Sequence, residues 1–333
     1  MMKLSTIQKV MNTVDSEWRC SLAEQILGSW EYDKGSIFFY RASANVVCVF
    51  KTNGEIRFLR FIPINEKDEN ALQAEIDILL SLRDTDLRTA QPVQSLHGTY
   101  IEVVRTALGS FYAVVFEGAK GSHLDFEKLD EDHYFMWGKT LGKLHRNSKM
   151  LPREKIETRK SWMEHLQQVQ KSLPMTEVEA LQECRRIEAW AFQLPITEEN
   201  FGLIHYDFEL DNLCWNEEDV TIIDFDDCTL HWYVADIAYA LRSLFEENYD
   251  PTNLFFQEFM KGYESESKID HSLLQQLPWF YRLHRLVMFA RLLESVDVNE
   301  AQGHPDWLNG LTRKLDTKIN VYRQAFVLLD KNE

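Results

Sequence analysis

Long apolar runs are missing from this 333-residue sequence. None approaches the ~18 consecutive apolar residues of a membrane-spanning helix. Met1–Val10 holds no unbroken apolar core of the kind a signal peptide carries. Cysteine is sparse and scattered: Cys20, Cys48, Cys184, Cys214 and Cys228 are odd in number, and no two stand at CxxC spacing. That argues against a metal knuckle, a redox pair and a disulfide framework. A cytoplasmic protein with no membrane partner is the expectation. With 13 Gly, 8 Pro and no repeat period, collagen-like and low-complexity classes are excluded as well.

Basic residues are also in short supply, 36 Lys and Arg against 53 Asp and Glu, a net charge of −17. The deficit is local. Residues 1–120 carry 13 basic and 15 acidic side chains, whereas residues 205–250 carry 13 acidic ones and only Arg242. Binding a nucleic-acid backbone needs the opposite sign, so that class of partner is excluded. An acidic cluster suits a divalent cation or a cationic substrate, and a solvated acidic face suits it equally. What is abundant is core material: 45% hydrophobic residues with nine Trp, enough to exclude disorder. At ~100–200 residues per domain, the length fits two domains or one two-lobed unit.

Residues 1–30 have helical apolar spacing. The texture turns to β from Ile37, and Val46–Phe50 and Ile56–Ile62 flank Asn53-Gly54, the pair best suited to a hairpin turn. An amphipathic helix is expected over Glu69–Leu82, then strands over Tyr100–Arg105 and Phe111–Phe116. After Gly118-Ala119-Lys120-Gly121 the pattern is helical, near 133–146, 160–172, 177–193, 236–247, 253–262, 272–294 and 306–329. One β interruption, Leu203–Phe225, lies inside this half. The expected class is therefore α+β, with a β-rich N-terminal lobe over 1–117 and a mostly helical C-terminal lobe over 118–333.

The interruption carries the chemistry. It reads His205-Tyr206-Asp207, then Asn212 five residues after the aspartate, then two short apolar strands about a polar turn, then Ile223-Asp224-Phe225-Asp226-Asp227. A hairpin brings its outer ends together, so Asn212 and Asp224 should meet, with Asp207 entering the same corner. One amide and one carboxylate form a hard-oxygen site of the type Mg²⁺ uses when phosphates complete its shell.

The spacing H-x-D-x-x-x-x-N, a hairpin, then I-D-F-D, with Asp236-Ile237-Ala238 beyond it, resembles the aminoglycoside phosphotransferase and choline kinase group. That group is the small-molecule branch of the protein-kinase-like two-lobed fold. The resemblance covers residues 30–250 and implies transfer of the γ-phosphate of ATP or GTP to a hydroxyl. It makes Asp207 the catalytic carboxylate, Asn212 and Asp224 the Mg²⁺ ligands, and His205 a brace for the loop. Asp226 would serve a second metal or remain a solvated or capping carboxylate, and Asp236 would cap its helix and tether the catalytic loop.

On the nucleotide side the implied residues are Ser43 and Asn45 in a glycine-free phosphate loop, Arg60 where the pattern has lysine, and Glu75 as its partner. Lys51 competes with Arg60 for that role. Phe116 and Gly118 belong to the linker from which such folds hang the base. Asp227, His231, Trp232, Tyr233, Arg242 and the helix Trp279–Arg291 are candidates for the acceptor pocket. The acceptor is expected to be a small hydroxylated molecule, and the acidic excess agrees with a cationic one. Two alternatives stay open: a protein Ser/Thr kinase, against which the lack of an A-P-E segment argues, and a non-catalytic nucleotide-binding scaffold.

Overall fold

The computed structural model describes residues 1–217, 219–245 and 249–332. Two helices, α1 (Leu4–Met11) and α2 (Ser21–Ile26), open the chain. The expected single helical stretch is broken between them, where Asp15 accepts the N–H groups of Glu17 and Arg19 and Val14 bridges Cys20. There follow β1 (Phe38–Ala42), β2 (Val46–Thr52) and β3 (Glu55–Pro63). Asn53 and Gly54 both have positive φ, 52° and 81°, as the tight turn between β2 and β3 requires. Alternate residues of these strands, Val46, Cys48, Phe50, Leu59 and Phe61, point into the core.

Helix α3 spans Glu69–Leu82, capped by Asp68. Two short strands that local patterning did not signal, β4 (Arg88–Thr89) and β5 (Pro92–Val93), come next, then β6 (Glu102–Thr106) and β7 (Gly109–Glu117). The six-stranded sheet runs β1-β2-β3-β7-β5, with β6 also paired to β7. Strand β4 does not join it. It pairs in parallel with β10 (Val220–Ile222), which with β9 (Leu213–Trp215) forms the small hairpin of the second lobe. The chain enters that lobe at Ser122, whose N–H and C=O both bond to Trp215, at 2.9 Å each.

The helical lobe begins with α4 (Glu131–Ser148), α5 (Arg153–Ile156), α6 (Trp162–Ser172) and α7 (Val178–Ala191). Strand β8 (Phe201–Ile204) leads to β9 and β10. Beyond them β11 (Thr229–Trp232) pairs with β8 and runs straight into α8 (Tyr233–Ala240). The helix expected over 236–247 thus begins earlier and gives way to a 3₁₀ turn over Arg242–Phe245; its last two positions lie outside the described residues. Helices α9 (Leu254–Glu264), α10 (His271–Leu274), α11 (Leu277–Ser295) and α12 (Asp306–Asn332) complete the chain. The stretch expected as one helix over 272–294 is split because Pro278 sits in the first turn of α11 and has no N–H to continue a helix from α10. Helices α4 and α9 approach so closely that a Cβ on Gly138 would overlap the Phe259 carbonyl, and one on Gly262 that of Phe135. All five cysteines are buried and unpaired. Among the described residues, no helix is long and apolar enough to cross a membrane.

Candidate active site

The catalytic-loop segment leaves β8 at Ile204 and is fixed from below by Asp236, a fully buried carboxylate on α8. The backbone N–H groups of His205 and Tyr206 each donate to it at 2.8 Å, and His145 Nε2 lies 3.1 Å from the same carboxylate. Asp236 caps nothing: α8 begins three residues earlier, so the side chain is free to serve the loop. His205 Nε2 contacts the Ile223 carbonyl at 3.1 Å, which joins the loop to the segment bearing Asp224. Replacing Asp236 with asparagine offers an amide N–H where an acceptor is needed. One buried backbone N–H is then stranded, at a cost of about 1–3 kcal/mol. Urea unfolding should report that loss, and an unchanged midpoint would refute the anchoring role.

Tyr206 has φ 74° and Asp224 φ 64°, both left-handed and uncommon for side chains of this size. The strain places Asp207 and the Asp224 carboxylate toward one recess. Asn212 Nδ2 donates to Asp207 Oδ2 and to the Asp207 carbonyl, each at 2.9 Å. The Ile223 N–H donates to the Asn212 carbonyl at 3.0 Å, so the hairpin does bring its ends together. Arg242 pairs with Glu209 and stands 3.9 Å from Asp207 Oδ1. Burial, then the adjacent Asp207, pushes the Glu209 carboxyl up to about 8 against the pull of Arg242.

Asp224 receives Arg41 Nη2 at 3.0 Å and Arg60 Nη1 at 3.4 Å. Burial raises its carboxyl to about 6, with the two guanidinium groups opposing and Asp226 and Glu75 adding to the rise. Asp226 goes the other way, to about 2, because Lys67 at 2.6 Å and Arg60 outweigh its burial. Asn212 and Asp224 bring an amide and a carboxylate to the wall of one recess, and no group of three His, Cys, Asp or Glu forms a metal cluster among the described residues. Such a pair fits a hard divalent cation whose other ligands are phosphates and water.

Arg60 and Glu75 form a bidentate pair, at 2.8 and 2.5 Å, almost wholly buried. The Arg60 guanidinium also lies 4.8 Å from the Phe116 ring centre. Lys51 is exposed on β2, away from this pair. Ser43 is exposed and lines the recess beside Asp207, Asn212 and Asp224. Asn45 is buried instead, and its amide donates to Asp226 at 3.2 Å rather than facing the cleft. The Gly118 N–H is also engaged, by the Ile56 carbonyl at 3.1 Å, so that linker residue meets the cleft without a free donor.

Three cavities share walls and form one cleft. The first, about 740 Å³, lies under β1–β3 against Phe116 and Gly118. Through Arg41, Asp211 and Asp224 it opens into the recess of about 140 Å³ that holds Asp207. Through Ala44, Asp226 and Asp227 that recess opens into a basin of about 310 Å³ between α3, α6 and α11. Of the acceptor candidates, Asp227 and the helix residues Val287, Ala290 and Arg291 line the basin, with Asp227 and Arg291 paired at 2.7 Å. His231, Trp232 and Tyr233 are core residues, and Trp279 stacks on Trp190. Arg41, Lys67 and Glu209 carry much of the site's charge, and the sequence assigns them no role. Arg41 alone had a local signal, since it directly precedes the phosphate loop.

The cleft, the two opposed loops and the arginine–glutamate pair are features of a kinase-type transferase, and the profile of the phosphotransferase enzyme family matches residues 42–271. The chain belongs to this family. Amicoumacin kinase of Bacillus subtilis (strain 168) is 25% identical to this phosphotransferase over 308 residues, 88% of the chain and 92% of the relative. Among solved structures, an amicoumacin kinase in complex with AMP-PNP, Ca²⁺ and Ami aligns with a TM-score of 0.78 at 20% identity, covering 96% of this chain and 95% of that one. A microcompartment-associated aminopropanol kinase aligns with a TM-score of 0.68 at 20% identity, over 93% and 98% of the two chains. A spectinomycin phosphotransferase aligns at 0.59 and 14%, over 92% and 97%. These likenesses establish the protein-kinase-like fold of the phosphotransferase, β-rich in its first lobe and helical in its second.

Proposed function

We propose that this phosphotransferase moves the γ-phosphate of ATP to a hydroxyl of a small, amine-bearing molecule, with Asp207 as the catalytic carboxylate. The observation that carries the reading is the continuous cleft, in which the Asp207 recess lies between a large apolar-walled cavity and a smaller charged basin. ATP fills the first, with its phosphates toward Arg60, Arg41 and Ser43. The acceptor occupies the basin and presents its hydroxyl at the recess. Asn212 and Asp224 would hold a divalent cation, Mg²⁺ in the simplest case, which when bound neutralises charge on the β- and γ-phosphates.

Phosphoryl transfer passes through a loose transition state, so alignment of the hydroxyl matters more than base strength. The Asn212 amide holds Asp207 Oδ2, and Asp207 accepts the hydroxyl proton as the acceptor oxygen bonds to the γ-phosphorus and the bond from that phosphorus to the β-phosphate oxygen breaks, releasing ADP. The basin's charge supports an amine acceptor. Of its cations, Lys67 is paired with Asp226 and Arg291 with Asp227, Arg159 donates to backbone carbonyls, and Lys160 donates to the neutral Gln168. Asp211 and Glu294, which line the recess and the basin, have no hydrogen-bond or ion-pair partner among the described residues. The name of the aminopropanol kinase points to the same acceptor class, and a neighbour solved with AMP-PNP supports ATP.

A protein-kinase reading is disfavoured because the chain runs from Cys228 directly into β11 and α8, leaving no free segment to carry a peptide. The scaffold reading is disfavoured by the intact Asp207, Asn212 and Asp224 set. In thermal unfolding with Mg²⁺ and ATP, ligand at ~100 times its Kd should add about 2.7 kcal/mol. Asp224→Asn should abolish the Mg²⁺-dependent part of that rise. A wild-type melting curve that ignores Mg²⁺-ATP would sink the proposal; a positive one opens a ³¹P screen of amino alcohols.

A further inference from the structure

The structure assigns a positioning role to Arg159, in the loop between α5 and α6. The residue is 8% exposed, and among the described residues no carboxylate lies within ion-pair distance of its guanidinium. It donates instead to three backbone carbonyls: Nε to Cys228 at 2.6 Å, Nη2 to Asp226 at 2.6 Å and Nη1 to Ala71 at 2.7 Å. A buried charge satisfied only by main-chain oxygens places strict demands on where those oxygens sit.

The three carbonyls come from two segments. Ala71 lies on α3 one helical turn before Glu75. Asp226 and Cys228 bracket the end of the 3₁₀ turn that follows Asp224. One planar fork therefore sets the distance between the helix that carries Glu75 and the loop that carries Asp224. Both carboxylates converge on Arg60, Glu75 by its bidentate pair and Asp224 at 3.4 Å. The Lys67–Asp226 ion pair also spans these segments, but through a flexible stem and a carboxylate. Backbone carbonyls do not titrate, so the Arg159 tie holds whatever the charge state of the site. Arg159 thus acts through Arg60 and Asp224, and the inference rests on the roles proposed for them.

Arg159→Lys keeps the charge and loses the fork. The test compares three affinities with the melting temperature of each protein: Mn²⁺ in the presence of AMP-PNP, read by electron paramagnetic resonance; AMP-PNP in excess chelator; and adenosine. Arg159→Lys should remain folded, bind adenosine within about twofold of wild type, and bind Mn²⁺ with AMP-PNP about 10–100-fold more weakly, the range for displaced supports of a metal ligand. Asp224→Asn, run alongside, should abolish the metal-dependent part. The inference falls if folded Arg159→Lys binds all three like wild type, or if all three weaken together. If Arg159→Lys does not fold, Arg159→Gln, whose planar amide keeps part of the fork, is judged by the same criteria. If neither folds, Arg159 is a structural staple and the inference also falls. A wild-type protein whose AMP-PNP binding ignores Mn²⁺ would instead overturn the functional reading beneath it.

Discussion

Asp207→Ala is expected to lower turnover by about 10²–10⁴-fold, the range for removing a positioned general base. Affinity for the Mg²⁺-nucleotide should stay within about twofold. The split follows from position: Asp207 lines the recess and takes no part in the wall of the large cavity. Asp207→Asn sharpens the result, because an amide oxygen still orients a hydroxyl but cannot take its proton. If orientation dominates in the loose transition state, Asp207→Asn should retain clearly more activity than Asp207→Ala. Steady-state kinetics on a confirmed acceptor would decide it, and an Asp207→Ala enzyme with unaltered kcat would remove Asp207 from the mechanism.

Arg60→Met should be the most destabilising of the substitutions considered. It leaves the Glu75 carboxyl, fully buried on α3, without its guanidinium. Breaking a buried pair from one side costs about 3–5 kcal/mol, whereas replacing both members with apolar groups is often neutral. Denaturant unfolding should therefore show a large loss in Arg60→Met and recovery of most of it in Arg60→Met with Glu75→Met. Recovery of stability without recovery of nucleotide binding would separate the pair's structural role from its proposed role at the phosphates. A double variant as unstable as the single would contradict the assignment.

The elements that patterning disclosed are those with short-range causes. The Asn53-Gly54 turn, the limits of α3 and the hairpin joining Asn212 to Ile223 each follow from a few adjacent residues. The Arg60–Glu75 pair was legible only through the family resemblance, which pairs a basic residue on the third strand with a carboxylate on the helix that follows. Arg41, Lys67 and Arg291 were not, although they neutralise Asp224, Asp226 and Asp227. Arg41 is 183 residues from Asp224, and such pairing leaves no periodic trace. The Trp279 and Phe280 group shows an ambiguity instead. Aromatics at helical spacing are more often core than acceptor wall, and here Phe280 is buried while half-buried Trp279 stacks on Trp190. Tyr206 was legible only in part. Its place in the loop motif is plain, but its left-handed backbone and its packing against Tyr239 are tertiary facts.

The chain passes between the lobes three times, first between Leu82 and Arg88, where α3 gives way to β4, and then at two neighbouring points. Between Thr89 and Pro92 it leaves the small hairpin of the helical lobe for the six-stranded sheet. Between Gly118, bonded to Ile56, and Ser122, bonded to Trp215, it returns. The two crossings are tied to each other, since the Glu117 N–H donates to the Gln91 carbonyl at 2.9 Å. The Arg159 fork adds a further tie, from α3 to the loop of Asp224, so the large cavity, whose wall includes Ala90 and Gly118 at these crossings and Asp224, is fastened to the helical lobe at more than one edge.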